Sequence, residues 1–534
     1  MKIKPLLGIV LAVCLLTSSI SCGCLRGPGI VTVYPRDFDY VVQYNYINDE
    51  YENIHITGYH GPGGDIAIPD TINGIRVVGI GDYAFKNCSS ITSIMIPSSI
   101  EGMGREVFSG CTSLTNIVVD ESNFYFKDID GVLYAQGGLY LVCYPAGKTD
   151  YSFTLPRIVR SVSEEAFYGC TSLANIVVEN SNYYYMDIDG ALVTKDGTSL
   201  VCYPAGKRDS SYNIPSGVTN VYPGAFYGCF GLSSISIPSR VRMVEYDALQ
   251  GDGAFYGCPS LSEIRVDASN TIFKDIDGVL FAYNGTSLVC YPSEKKGASY
   301  TIPNNVEQIS NNAFSGCTSL VSITIPGSVA QIGDKAFSGC TSLTGFKVDA
   351  SNPFFKDIDG VLFQNQWSGI SLFSYPAGRA DSSYTITGDI SHLNRRAFDD
   401  CVNLISITII RSDMYINWEA FSGCTSLTEI KVDASNINFV DIDGVLFTKS
   451  KAYLLLFPAG KTFSSYTIPA SVKGIRNMAF RNCTNLTKIT IPSSVEDIAW
   501  DAFWGCRNLT IICQRDSYAH SYCLLNGINF KLMP

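Results

Sequence analysis

Ile332-Gly333-Asp334-Lys335-Ala336-Phe337-Ser338-Gly339-Cys340 runs on to Leu343, Phe346 and Val348. The same order appears at Ile80, where Ala84-Phe85 leads to Cys88, Ile91, Ile94, Ile96 and Pro97. The shared template is I-x-x-x-A-F-x-x-C-x-x-L-x-x-I-x-I-P. Its Cys falls at 88, 111, 170, 229, 258, 317, 340, 401, 424, 483 and 506. Eleven coils follow from that column. The shortest gap, 23 residues, lies within the period of leucine-rich repeats. The gap of 59 residues, as frequent as that of 23, is the same unit lengthened by an insertion. Alternation in L-x-x-I-x-I turns the apolar residues inward on a short strand and the x residues outward. One coil cannot bury its own apolar face, so neighbours stack, with strands about 4.8 Å apart. The fold class is a right-handed, β-rich repeat solenoid of leucine-rich-repeat type with recurring β-hairpin insertions.

The insertion occurs five times, from Asn123, Asn182, Asn270, Asn352 and Asn436. Each copy carries an aromatic and then Asp-Ile-Asp-Gly: Phe126 with Asp128 and Asp130, Tyr185 with Asp187 and Asp189, Phe273 with Asp275 and Asp277, Phe355 with Asp357 and Asp359, Phe439 with Asp441 and Asp443. Segments such as Val-Leu-Phe and Leu-Val-Cys-Tyr then flank polar turns, as at Asp196-Gly197, which predicts a β-hairpin. A Tyr-x-Ile-Pro segment, Tyr300 to Pro303 for example, rejoins the coil. Alternating carboxylates before glycine hint at calcium. No third ligand or distal Glu follows at the needed spacing, so the favoured reading is a turn in which Asp caps backbone N–H groups and Gly takes positive φ. No metal site and no cofactor are expected.

The 534 residues are 46% hydrophobic and 16% charged, which argues for a packed chain and against disorder. A formal net charge of −11 disfavours a nucleic-acid partner. The 19 Cys in an exported chain invite disulfides. Eleven of them occupy one column, where stacked side chains point the same way, so they read as free core thiols. A bridge between Cys513 and Cys523 stays open.

The chain starts like an export signal. Lys2 and Lys4 precede an apolar stretch, Leu6 to Leu16, and small residues lead to Ser21 and Cys22. Ser19-Ile20-Ser21-Cys22 resembles a lipobox, with Ser19 in place of the usual Leu, and makes Cys22 the candidate lipidation site. Plain cleavage after Ser21 is the alternative. The expected division is 1–21 signal peptide, 22–39 tether, 40–79 N-terminal cap, 80–512 solenoid and 513–534 C-terminal cap, with a helix over Ser517 to Leu525 and a last strand over Ile528 to Leu532. An exported protein at the cell surface is expected, in contact with the membrane only through that lipid.

The repeat unit closely resembles the BspA-type leucine-rich repeats of surface proteins, over about residues 50 to 534. The resemblance implies a surface-exposed protein without catalysis. Some members are adhesins for matrix proteins such as fibronectin and fibrinogen, or join cells to one another. The residues agree that this is not an enzyme: there is no P-loop, no H-E-x-x-H and no G-x-S-x-G, and the Asp pairs recur where an active site would be unique. Extracellular or cell-surface protein partners are expected, with a structural envelope role as the alternative. The outward strand positions are the candidate contact face. They are mostly small and polar, with charges from the middle of the chain onward: Glu263, Arg265, Lys347, Glu429 and Lys431.

Overall fold

The computed structural model describes residues 37–45, 50–243, 255, 257–367, 369–387, 390–410, 414–417, 419–506, 508–526 and 528–533. The export signal and Cys22 lie outside the described residues.

Each Cys-marked coil contributes one short strand to a parallel ladder. Ser322–Ile325 pairs with Gly345–Val348, with Ser322 opposite Gly345 and Ile325 opposite Val348. Ile323, Ile325 and Phe346 are buried while Lys347 is exposed, so the alternation read from the sequence holds. On the other side of the coil a two-residue strand, Gln331–Ile332, pairs with Gln308–Ile309 of the coil before. The Ala-Phe-x-x-Cys leg joins the two sides and fills the interior. Phe337 stacks on Phe314 with ring centroids 5.6 Å apart. The Cys340 thiol donates to the Phe314 carbonyl at 3.1 Å. The same contact recurs along the column, from Cys111 to Phe85 at 3.0 Å to Cys506 to Phe480 at 2.9 Å. The column cysteines, Cys513 and Cys523 are all free thiols.

The insertions contribute more than a hairpin. Phe355–Ile358, Val361–Gln366 and Gly369–Ser374 form three antiparallel strands, and the third then runs parallel to Ile390–Leu393 of the next coil. The strand before the glycine was not anticipated; Phe-Lys-Asp-Ile is short and charged, and reads as part of a turn. After the third strand, Tyr375 of Tyr-Pro-Ala-Gly takes the place of the coil phenylalanine. Its ring packs 5.4 Å from Phe398, and its carbonyl accepts from Cys401 Sγ at 3.7 Å. The rejoining segment Ser383–Ile386 is itself a ladder strand, parallel to Ser406–Ile409. Each insertion therefore closes a coil of its own, and the eleven Cys-marked coils are joined by five more.

The ladder is divided into six parallel sheets that hold eighteen strands among the described residues. Every division falls at an Asp-Ile-Asp-Gly turn. The edge strand there needs acceptors for N–H groups that no neighbouring strand meets. Phe346 N donates to the Gly360 carbonyl at 2.8 Å, and Val348 N to Asp357 Oδ1 at 2.7 Å. The first aspartate does the same in the other copies, with Asp128, Asp187, Asp275 and Asp441 accepting from Val119, Val178, Val266 and Val432 at 2.8 to 2.9 Å. The second aspartate and the glycine form the turn with positive φ, 52° at Asp130 and 75° at Gly131. A Cβ on Gly131 would meet Asn116 Oδ1 at 2.2 Å, so the close approach requires glycine.

The first sheet begins at Gly64–Ala67, which pairs with Ile91–Ile96, so the ladder starts inside the segment read as a cap. Ahead of it β1 (Phe38–Asn45) and β2 (Glu50–Tyr59) form an antiparallel pair, and β2 runs parallel to Ile75–Ile80. At the other end α1 (Tyr518–Asn526) precedes the last strand, Asn529–Leu532, close to the expected bounds. The two ends meet. The Tyr40 hydroxyl of β1 donates to the Leu524 carbonyl of α1 at 2.7 Å, and Asn73 Nδ2 donates to the same hydroxyl at 3.2 Å. The solenoid thus closes on itself. Each insertion sets two extra antiparallel strands beside the short-strand side and only a turn beside the ladder.

Candidate functional site

The ladder turns one continuous side outward from the coil interior. Serine and threonine are frequent on it, and the parallel register sets some of them side by side. Ser383 lies beside Ser406 and Thr385 beside Thr408. At the entry to six of the strands a hydroxyl bonds back one coil. Thr115 Oγ1 donates to the Thr92 carbonyl at 3.1 Å, Thr344 Oγ1 to Val321 at 3.1 Å and Thr487 Oγ1 to Ser464 at 2.9 Å. These bonds fix the face as a rigid polar surface.

The charged residues singled out from the sequence all lie on this face, but in three stations. Glu263 and Arg265 are on the last strand of their sheet, beside Ser234 and Ser236. Lys347 holds the same place on the last strand of the following sheet, one insertion later, beside Thr324, and Glu429 and Lys431 hold it in the sheet after that, beside Ser406 and Thr408. Within a station the charges pair. Arg265 reaches Glu263 at 2.9 Å and Lys431 reaches Glu429 at 3.1 Å. Both pairs are solvent-facing, with the Arg265 side chain 67% and the Glu263 side chain 37% exposed. Such pairs contribute about 0.2–1 kcal/mol to stability, so their place is better explained by what they present than by what they hold together. Lys347 has Gly345 where the others have Glu.

A second set of residues was not read from the sequence. The two positions after the insertion's first Asn carry exposed rings: Phe124 and Tyr125, then Tyr183 and Tyr184. Phe124 is 88% and Tyr183 85% exposed. Arg160 lies 6.0 Å from the Tyr184 ring. Trp367, at the tip of the longest hairpin, is fully exposed. The signal was available, since an aromatic run such as Asn182-Tyr183-Tyr184-Tyr185 cannot send three successive rings inward. Only the third, Tyr185, enters the core.

The Asn itself is structural. Asn352 is 7% exposed and uses all its polar capacity. Its Nδ2 donates to the carbonyls of Pro326 at 2.8 Å and Val329 at 3.0 Å, and its Oδ1 accepts from Phe354 N and Phe355 N, both at 2.8 Å. It ties the insertion to the Pro turn of the coil before. Among the described residues no group of three His, Cys, Asp or Glu is placed to hold a metal ion. No helix of the described residues is long and apolar enough to cross a membrane.

A family model described as a BspA type leucine rich repeat region matches six times, over residues 65–130, 148–187, 206–289, 287–376, 379–453 and 455–531. Among solved structures the chain is similar to a leucine rich cell surface protein of Faecalibacterium prausnitzii A2-165, at 22% identity over 92% of this chain and 96% of that one, with a TM-score of 0.35. It is also similar to a leucine-rich repeat protein of Eubacterium ventriosum, at 19% identity over 85% and 90%, with a TM-score of 0.33. The pneumococcal vaccine antigen PcpA matches at 15% identity over 93% and 97%, with a TM-score of 0.30. No curated relative matches the chain.

Proposed function

The chain belongs to the BspA-type leucine-rich repeat family, and from that premise we propose that it is a non-catalytic surface protein that binds protein partners of the cell exterior. Members of this family are generally repeat proteins of the cell surface without catalysis. The observation that carries the reading is the array of eighteen ladder strands in six sheets, whose outward side is mostly polar and is stiffened in places by coil-to-coil hydroxyl bonds. A repeat array offers an extended surface of this kind to macromolecules rather than a pocket to small ones. The three charged stations then supply register, because charges on a contact surface set orientation and partner choice. The export signal and the lipobox-like Ser19 to Cys22 support a position at the cell surface, held by lipid on Cys22.

The test is attachment of the purified protein to immobilised fibronectin and fibrinogen and to bacterial cells, with variants at Glu263, Arg265, Lys347, Glu429 and Lys431. Surface substitutions of this sort change stability by about 0.5 kcal/mol or less. The expected result is unchanged melting with lost attachment. Attachment that survives all five substitutions moves the contact to the exposed rings of the insertions. Absence of attachment to every surface leaves the structural envelope role in its place.

A further inference from the structure

The meeting of the two ends makes a cleft that no single coil possesses. Asp39 of β1, Tyr83 of the first coil, Trp500, Asp501 and Trp504 of the last coil and Asn529 of the last strand all face it, around a volume of about 160 Å³. Two of the four tryptophans of the chain are here. Single aromatics stand at the matching places of other coils, Trp418 at the first and Tyr168 and Tyr227 at the second, but only the last coil carries an indole at both. Nor does closure bury them. Trp500 stays 58%, Trp504 36% and Tyr83 42% exposed with the ends in contact. The two indoles stand at 89° to one another with centroids 6.5 Å apart, one offering a face and the other an edge. Exposed rings of this size, gathered in one concave place, mark a contact site rather than scattered surface.

We propose that this seam binds a neutral sugar ring of a glycan chain. The chemistry of the walls selects that class. A cationic ligand is disfavoured because a cation is already in place: Lys86 Nζ lies 4.6 Å from the Tyr83 ring centroid and pairs with Glu106 at 2.5 Å. An anionic ligand gains no net attraction either, because the basic groups of the lining have acidic neighbours, Lys86 beside Glu106 and His60 3.7 Å from Asp39, while Asp501, only 4% exposed, accepts from Met478 N. A pyranose ring suits both constraints. Its axial C–H face is apolar and stacks on indole, and its hydroxyls donate to the half-exposed Asp39 carboxylate and exchange bonds with the Asn529 amide. The cleft is smaller than the roughly 300–1,000 Å³ that engulfs a drug-sized ligand, which fits one ring of a chain that continues into solvent. Because the walls come from both ends, a bound ring also holds the solenoid closed, and binding must raise the melting temperature. This site is separate from the ladder face and does not depend on it.

The experiment is a tryptophan-fluorescence titration of the full chain with maltohexaose, laminarihexaose, cellohexaose and mannohexaose, with melting followed in parallel. A saturable change with at least one of them is expected, together with a higher melting temperature. Trp504→Ala and Trp500→Ala each weaken that binding about tenfold, the scale of one lost stacking contact, whereas Trp367→Ala, far out on a hairpin tip, leaves it unchanged. The Trp variants keep attachment at the ladder face, which separates failure here from failure of the protein-binding reading. If none of the four sugars binds, or if tetramethylammonium binds more tightly than all of them, the proposal is overturned.

Discussion

Phe337 and Asn352 are both buried, yet they stabilise by different means. Phe337 contributes packing, between Phe314 at 5.6 Å and Phe346 at 4.8 Å. Phe337→Ala is expected to cost about 3–5 kcal/mol through the cavity it opens. Asn352→Ala removes little volume but strips partners from two carbonyls and two N–H groups. At about 1–3 kcal/mol for a buried polar group left unmet, it is expected to cost at least as much as many core truncations. Urea midpoints of the two variants check this. A fall of less than about 1 kcal/mol for Asn352→Ala would show that water replaces the amide. The thiols carry a pH dependence. Burial pushes Cys143 and Cys202 up to about 12, and the same cause raises Tyr40, Tyr291 and Tyr384 to about 12. Unfolding frees these groups to ionise at their ordinary values while folding keeps them neutral. Stability is therefore complete below the ordinary thiol range and falls as pH climbs from there through about 12. Urea midpoints from neutral pH upward measure it; a midpoint flat across that window would sink the account. The thiol column was legible in the sequence, because its spacing fixes one place in every coil. The bond from each thiol to the preceding carbonyl was not, because nothing in a spacing says where a sulfur points.

At the scale of the element, the Asp-Ile-Asp-Gly segment was read correctly as a turn and incompletely as a structure. What it caps is the edge of a sheet, and the capped strand lies nine residues back in the chain. Local turn chemistry predicts positive φ at glycine, but it does not say which strand lies alongside. Asp357→Ala should leave Val348 N–H unmet and cost about 1–3 kcal/mol, whereas Asp357→Asn keeps an acceptor in place and recovers part of it. The capping is expected to need no metal, so a chelator moves the melting temperature by no more than about a degree or two. A large fall that calcium restores, in thermal melts of the untreated and chelated protein, would make the aspartates ligands instead. The insertion's own coil was hidden for a related reason. Tyr375 does the work of a coil phenylalanine without the Ala before it or the Cys after it, so the template passes over it.

At the scale of the whole molecule the repeat made the solenoid legible from end to end, while closure left no trace in the sequence. Tyr40 and Leu524 are 484 residues apart, and no periodicity links a first coil to a last. The contact depends on the path of every coil between the caps, which no single repeat records. The outward face was legible residue by residue through alternation. Its grouping into stations was not, because it depends on where each sheet ends. Placement of the whole molecule is a matter for Cys22. Cys22→Ala is expected to release the protein into the medium or to leave its precursor uncleaved, read by fractionation. A variant that stays membrane-associated, with fatty-acid labelling unaltered, would remove Cys22 as the anchor.

The turns that end each sheet also set how load travels. Inside a sheet, neighbouring coils share a ladder and a run of stacked rings, so they yield together. Across a turn the ladder bonds give way to a few capping bonds, and apolar packing continues through residues such as Phe355 and Leu362. In a one-dimensional chain of units, such weak couplings cut cooperativity into blocks. Pulled from its two ends, this molecule would first give way at the seam, where the caps touch, and open from a loop into a line. It would then lengthen in unequal steps, two to four ladder strands at a time, as each sheet fails whole while its neighbours keep their shape. A surface protein built this way absorbs a tug in instalments and can close again when the tug ends.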